Sequence, residues 1–172
     1  MKQVITLEDG IAKVLENDSW IFINSEEDLI QHKMPEKLIL PLKLWESMRP
    51  AEVSQGHEIS LNGVWLAPDD NEKSIERWLH VLPIIALRFF SFRDGRAYTQ
   101  AYAIKTRLNW RGELRAVGDV LRDQLSLMRQ CGFNSFAVRE DKSVEDALKG
   151  LAGISVLYGR SAIEPKPLFR RR

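Results

Sequence analysis

Residues 84–90, Ile-Ile-Ala-Leu-Arg-Phe-Phe, constrain the fold of this 172-residue chain more than any other stretch. A strand with one face in water needs apolar residues only at alternate positions. A run that is apolar almost throughout is covered on both faces, the condition of a parallel sheet. The flanks support a strand. Pro83 ends the preceding helical pattern, in which Ile75, Trp78, Leu79 and Leu82 fall at i, i+3, i+4 and i+7. Asp94-Gly95 opens the next helix, which the aromatic pattern carries to about Leu108.

The same alternation recurs on both sides of that run. Leu38–Leu42 leads into a helical face of Leu44, Trp45 and Met48, and Gly63–Ala67 is followed by a turn and cap at Pro68-Asp-Asp-Asn71. Beyond the Asn109–Gly112 break, Glu113–Gly118 is a strand, and Asp119 is placed to cap a helix that runs to Cys131 and stops at Gly132. Ser135–Arg139 is another strand. Ser143 with Asp146 resembles a capping box, ahead of a helix with Val144, Ala147, Leu148 and Leu151 on one face. About five strand–helix units result, with a spacing that suits right-handed parallel crossovers. The expected fold is α/β, an open and mainly parallel sheet with helices on both faces; the alternative is a part-barrel of TIM type. A small hairpin at residues 1–16 precedes the core, with Asp9-Gly10 at its turn, and Trp20–Ile23 reads as strand or packed loop. The expected division is one α/β domain over residues 1–163, its core at 36–158, and a basic, proline-containing tail at 164–172 with no regular structure.

Composition narrows the function. At 44% apolar and 28% charged the chain is ordinary for a soluble globular protein, and a net charge of +1 argues against nucleic-acid or membrane binding. The single cysteine, Cys131, excludes an internal disulfide and an iron–sulfur cluster held by this chain's own cysteines. It lies on the apolar arc of its helix and reads as inert core. His32, His57 and His80 lack ligand spacing, and no dinucleotide, P-loop or nucleophile-elbow motif is present, so no cofactor or metal is expected. With no signal-like start and no segment approaching the ~20 apolar residues of a membrane span, the expected location is cytoplasmic.

The charges inside apolar elements ask for an explanation. Arg88 and Arg115 interrupt two strands, and each needs a partner if buried; Arg88 with Asp119, or Arg115 with Glu113, would supply one. Gln124 falls in the apolar arc of its helix and must also find partners. One reading is structural ion pairs. The other is a site at the carboxyl ends of the strands, with Arg88, Asp94, Arg96, Arg115, Asp119, Arg122, Asp123 and Gln124 as candidate pocket residues holding a small anion. Ser91, Arg93 and Arg139 would lie near the same rim.

Asp94-Gly-Arg96, the run Arg111–Leu125, Cys131-Gly-Phe133, Gly63–Asp70 and Pro167–Arg171 together resemble a bacterial family of unknown function, domain-of-unknown-function family 934. The resemblance implies a place beside assimilatory sulfite reductase in sulfur assimilation, and the family carries the label of an oxidoreductase involved in sulfite reduction. The catalytic part of that label has no support in these residues. The expectation is an accessory protein without a redox centre, with sulfite reductase or its electron donor as partner and Leu168–Arg172 as a docking peptide. A small anion-binding enzyme is the alternative, and a homodimer is left open.

Overall fold

The computed structural model describes residues 3–30, 37–54, 62–152 and 156–171, with the side chains of 49–54 left aside. The hairpin forms from β1 (Val4–Glu8) and β2 (Ile11–Leu15) around Asp9 and Gly10, both at positive φ. Then come β3 (Trp20–Phe22), the short helix α1 (Glu26–Ile30), β4 (Lys37–Pro41), α2 (Leu42–Ser54) and β5 (Gly63–Leu66). A 3₁₀ stretch (Glu72–Trp78) capped by Asn71 leads to β6 (Ile84–Phe89), α3 (Arg96–Thr106) and β7 (Glu113–Gly118). The chain continues through α4 (Leu125–Cys131), β8 (Ser135–Ala137) and α5 (Val144–Leu148).

All eight strands form one sheet in the order β2-β1-β8-β7-β6-β5-β4-β3. From β3 to β8 every neighbouring pair is parallel and consecutive in sequence, while β1 lies antiparallel to both β8 and β2. The fold is therefore α/β, but the expected open sheet with helices on both faces is not what forms. Consecutive right-handed crossovers with no reversal of strand order place every helix on the same side. The packing agrees. Trp45 of α2, Ile104 of α3, Met128 of α4 and Ala147 of α5 all join one core with Leu40, Val64, Leu87, Ala116 and Phe136 of the sheet. The opposite face carries a smaller cluster made only of strand residues, including Trp20, Ile39, Trp65, Ala86 and Val117.

That helix-free face is concave, the part-barrel curl of the alternative expectation. In a flat sheet β3 and β7 would lie four strand spacings apart, about 19 Å. Asp18, two residues before β3, instead reaches Arg115 of β7 at 2.8 Å. The connection between the two edge strands makes the same point. Leu15 ends β2 and Trp20 begins β3, so the link spans at most about 17 Å. The edges of a flat eight-stranded sheet would stand about 34 Å apart. The sheet must curl for the chain to connect, and the hairpin is an integral edge of it rather than a preface.

Two helices depart from the sequence pattern. The run containing Ile75 and Trp78 is a 3₁₀ helix, and the segment after β7 winds as 3₁₀ at Arg122–Gln124 before α4 begins at Leu125. Asp119 does not cap that helix, because its carboxylate is taken by the Phe92 N–H at 2.8 Å and by Arg139 at 2.7 Å. Gln124 supplies the entry contact instead, its side-chain oxygen accepting from the Leu121 N–H at 3.2 Å. Gly132, at φ 109°, ends α4. The tail is not free of regular structure, since Leu168–Arg170 makes one 3₁₀ turn. Arg171 fastens it by donating to the carbonyls of Lys166 and Leu157 at 2.7 and 3.0 Å.

Candidate functional site

The carboxyl ends of the parallel strands surround a cavity of ≈ 520 Å³ on the concave face. Phe22 enters it from the end of β3 and Asn24 just beyond, Arg88 from β6, Val117 and Gly118 from β7, and Ala137 to Asp141 from β8 and the loop beyond. Gln3 completes the wall, because antiparallel β1 begins where β8 ends and the Gln3 carbonyl accepts from the Val138 N–H at 2.8 Å. Gly118 is required here. Its φ is +94°, and a β-carbon would stand 2.2 Å from the Phe89 carbonyl oxygen, so a side chain would force β6 and β7 apart at the rim.

Arg88 projects from the middle of this wall. Its guanidinium lies 4.7 Å from the Phe90 ring centroid, 5.1 Å from Trp65 and 5.6 Å from Phe22, with Phe22 and Trp65 stacked on one another. Facing aromatic π-clouds holds a cation without neutralising it. Among the described residues Arg88 has no carboxylate within ion-pair distance, and burial pushes its guanidinium down from the ordinary value. The other arginine of the cavity is already neutralised. Arg139 is bonded to Asp119 and, through two nitrogens, to Asp141 at 2.6 and 3.0 Å, and these bonds raise its basicity. They hold the Asp141 carboxyl below its usual range, which makes it a poor proton donor near neutrality. The Gln3 side-chain oxygen is buried and has no hydrogen-bond donor among the described residues. Val117, Ala137 and Phe22 give the cavity an apolar wall, and Glu140 lines it beside Asp141.

Of the eight residues the sequence singles out as a pocket, the cavity contains Arg88 alone. Arg115 is on the same concave face but deeper, closed into a buried cluster. It makes a two-pronged bond to Asp18 at 2.8 and 3.1 Å, bonds Glu113 at 2.7 Å and donates to Ser135 Oγ at 3.0 Å. The expected Arg115–Glu113 pair is present, with Asp18 added; Arg88–Asp119 is not. Asp94 and Arg96 pair with each other at 2.7 Å, and Arg96 also contacts Asp69. Asp94 further accepts from the Arg96 N–H at 3.1 Å, so the start of α3 is occupied by the chain's own carboxylate rather than open to an anion. Arg122 is exposed and paired with Asp146 at 3.0 Å, while Asp123 is exposed beside it. Gln124 is buried and donates to the Phe92 carbonyl at 3.0 Å. Asp119 and Gln124 thus brace the loop after β6, one at the Phe92 N–H and the other at its carbonyl. Sequence reasoning missed Gln3, which the pairing of β1 with β8 brings in, and Phe22 and Asn24, which reach the site because the sheet curls.

His32 and His57 lie outside the described residues and His80 is exposed. Among the described residues no group of three or more His, Cys, Asp or Glu side chains is arranged to hold a metal ion. Cys131 is partly buried, and burial pushes its thiol up, away from the reactive thiolate. No described helix is long and apolar enough to cross a membrane.

No curated protein and no solved structure matches the chain. A family model does, over residues 63–169, from β5 into the last 3₁₀ turn and including Arg88, Gly118 and Arg139 of the cavity. The chain belongs to this family, described as bacterial protein of unknown function (DUF934).

Proposed function

We propose that this protein binds a small organic anion in the cavity at the carboxyl ends of its curled sheet, with Arg88 as the anchoring cation. The carrying observation is a guanidinium in a ≈ 520 Å³ cavity, seated on three aromatic rings, with no carboxylate partner among the described residues. A planar guanidinium presents a fork of donors that matches sulfonate, sulfite, phosphate or carboxylate oxygens, and a low-dielectric wall strengthens the attraction. Phe22, Val117 and Ala137 favour an anion with an apolar body over a bare inorganic ion. Thermal unfolding in the presence of sulfite, sulfate, small sulfonates and small carboxylates tests this. At a ligand concentration near 100 times Kd the expected rise in Tm for one of these anions is roughly 5–10 °C. In Arg88→Met that rise should vanish while the Tm without ligand stays close to wild type. A rise that survives Arg88→Met would remove Arg88 from the role.

The resemblance supports a second reading, an accessory role in assimilatory sulfite reduction without a redox centre of the chain's own. It rests on what the resemblance implies, and the single cysteine, too few for an iron–sulfur cluster of the chain's own, is compatible with it. The expected result is recovery of sulfite reductase in a pull-down from cells growing on sulfate as sole sulfur source. A form ending at Ile163 should lose that recovery if the tail is the docking element. Absence of the reductase from both pull-downs would reject the accessory role and leave anion binding to be judged by itself.

A further inference from the structure

The opposite end of the sheet holds a second cavity, of ≈ 410 Å³, between the last turn of α3, the turn of the hairpin, the loop from α4 to β8 and residues 162–163. Its charge is one-sided. Lys105, Arg111 and Arg129 line it, and no carboxylate is among its described lining residues. Lys105 donates to the Gly112 carbonyl at 3.0 Å and Arg129 to the Gly10 carbonyl at a long 3.4 Å. None of the three cations makes an ion pair among the described residues, although the remaining surface is rich in such pairs. Three cations converging without a counter-ion repel one another, a cost that a bound anion removes.

Two further features point the same way. Trp110 lines the cavity, is 8% exposed, and keeps a buried indole N–H with no acceptor among the described residues. Buried donors of this kind are uncommon and call for a partner. Gly132, at φ +109°, makes room for the lysine: a β-carbon there would stand 2.4 Å from Lys105 Cγ. Burial first, and Arg111 second, push the Lys105 ammonium down to about 8, as befits a cation lacking a counter-ion.

We infer that this cavity is a binding site for a phosphomonoester, its phosphate held by Lys105, Arg111 and Arg129 and its organic portion lying beside Trp110. A phosphomonoester carries roughly −1.5 to −2 charges near pH 7, a fair match to three cations. The cavity is larger than one phosphate group requires, and Trp110, Phe133 and Leu7 give the surplus an apolar lining. The site lies at the end of the strands opposite Arg88, so the two are separable by mutation.

Isothermal titration of the full-length protein at low ionic strength, with phenyl phosphate and with inorganic phosphate, decides the matter. Phenyl phosphate should bind with a Kd below about 1 mM, and inorganic phosphate more weakly. Arg129→Met and the exposed Arg111→Ala should each weaken phenyl phosphate roughly tenfold. Arg88→Met should leave its affinity unchanged. Absence of binding by the wild type would overturn the inference, as would unchanged affinity in both Arg129→Met and Arg111→Ala. Loss of binding in Arg88→Met would move the phosphate to the other cavity and overturn it equally.

Discussion

Lys105 sits where a charged side chain is costly, and its titration gives a test at the scale of one residue. In the unfolded chain its amine keeps a proton up to its ordinary value of 10.5, whereas in the fold it releases the proton above about 8. Between those values the unfolded state binds more protons, so the free energy of unfolding rises with pH. Lys105→Met lacks this contribution. Urea unfolding of both proteins should therefore show the wild type gaining stability relative to Lys105→Met between about pH 8 and pH 10. A constant difference across that range would mean that the ammonium is not desolvated. At this scale the sequence was partly legible. Arg88 and Arg115 announce themselves as charges inside apolar strands, and each occupies a special place on the concave face. Their surroundings were not legible, because Asp18 is 97 positions from Arg115, and Phe22, too, is far from Arg88 along the chain. Only the local pair with Glu113, two residues away, followed from spacing.

At the scale of elements, period-two and 3.6-residue patterns placed β4 to β7 and α3 close to their observed bounds, since apolar alternation reports directly on which side of an element meets the core. The disagreements have local causes. Asp119 looks like a helix cap by composition, yet a tertiary partner on β8's far loop, Arg139, competes for its carboxylate and wins. Gln124 then takes over the entry, and the first turn tightens to 3₁₀. The same reassignment explains why the proposed pocket of eight residues does not assemble. Asp94, Arg96, Asp119, Arg122 and Gln124 are committed to bracing the loops at the strand ends, and their bonds are made with neighbours rather than with an open space.

Over the whole molecule, curvature is the property that periodicity leaves undetermined. Alternation along a strand says which residues share a face, and nothing about whether that face is flat or hollow. Strand order decides it, through the single-sided helices and the short link from β2 to β3. The Asp18–Arg115 pair tests this closure. Both side chains are 1% exposed, so Asp18→Ala takes the two-pronged carboxylate away from a buried guanidinium that also bonds Glu113 and Ser135. The expected loss is about 3–5 kcal/mol, read from urea unfolding, and the pair Asp18→Leu with Arg115→Met should recover most of it. A loss below about 1 kcal/mol would mean that the link does not hold the hollow face shut.

The hairpin's place in the sheet has a consequence for how the protein is made. Val4, near the start of the chain, lies opposite Ala137, so β1 cannot find its parallel-sheet neighbour until most of the chain has left the ribosome. At roughly 5–20 residues per second that wait lasts on the order of 7–27 s. For that interval the ribbon of β1 and β2 has two bare edges, and a bare edge invites pairing with any other extended chain. The outward Glu8 and Lys13, bonded to each other at 2.6 Å, put charge on the young ribbon; the last-made strand covers its β1 edge, while β2 stays at the edge of the sheet.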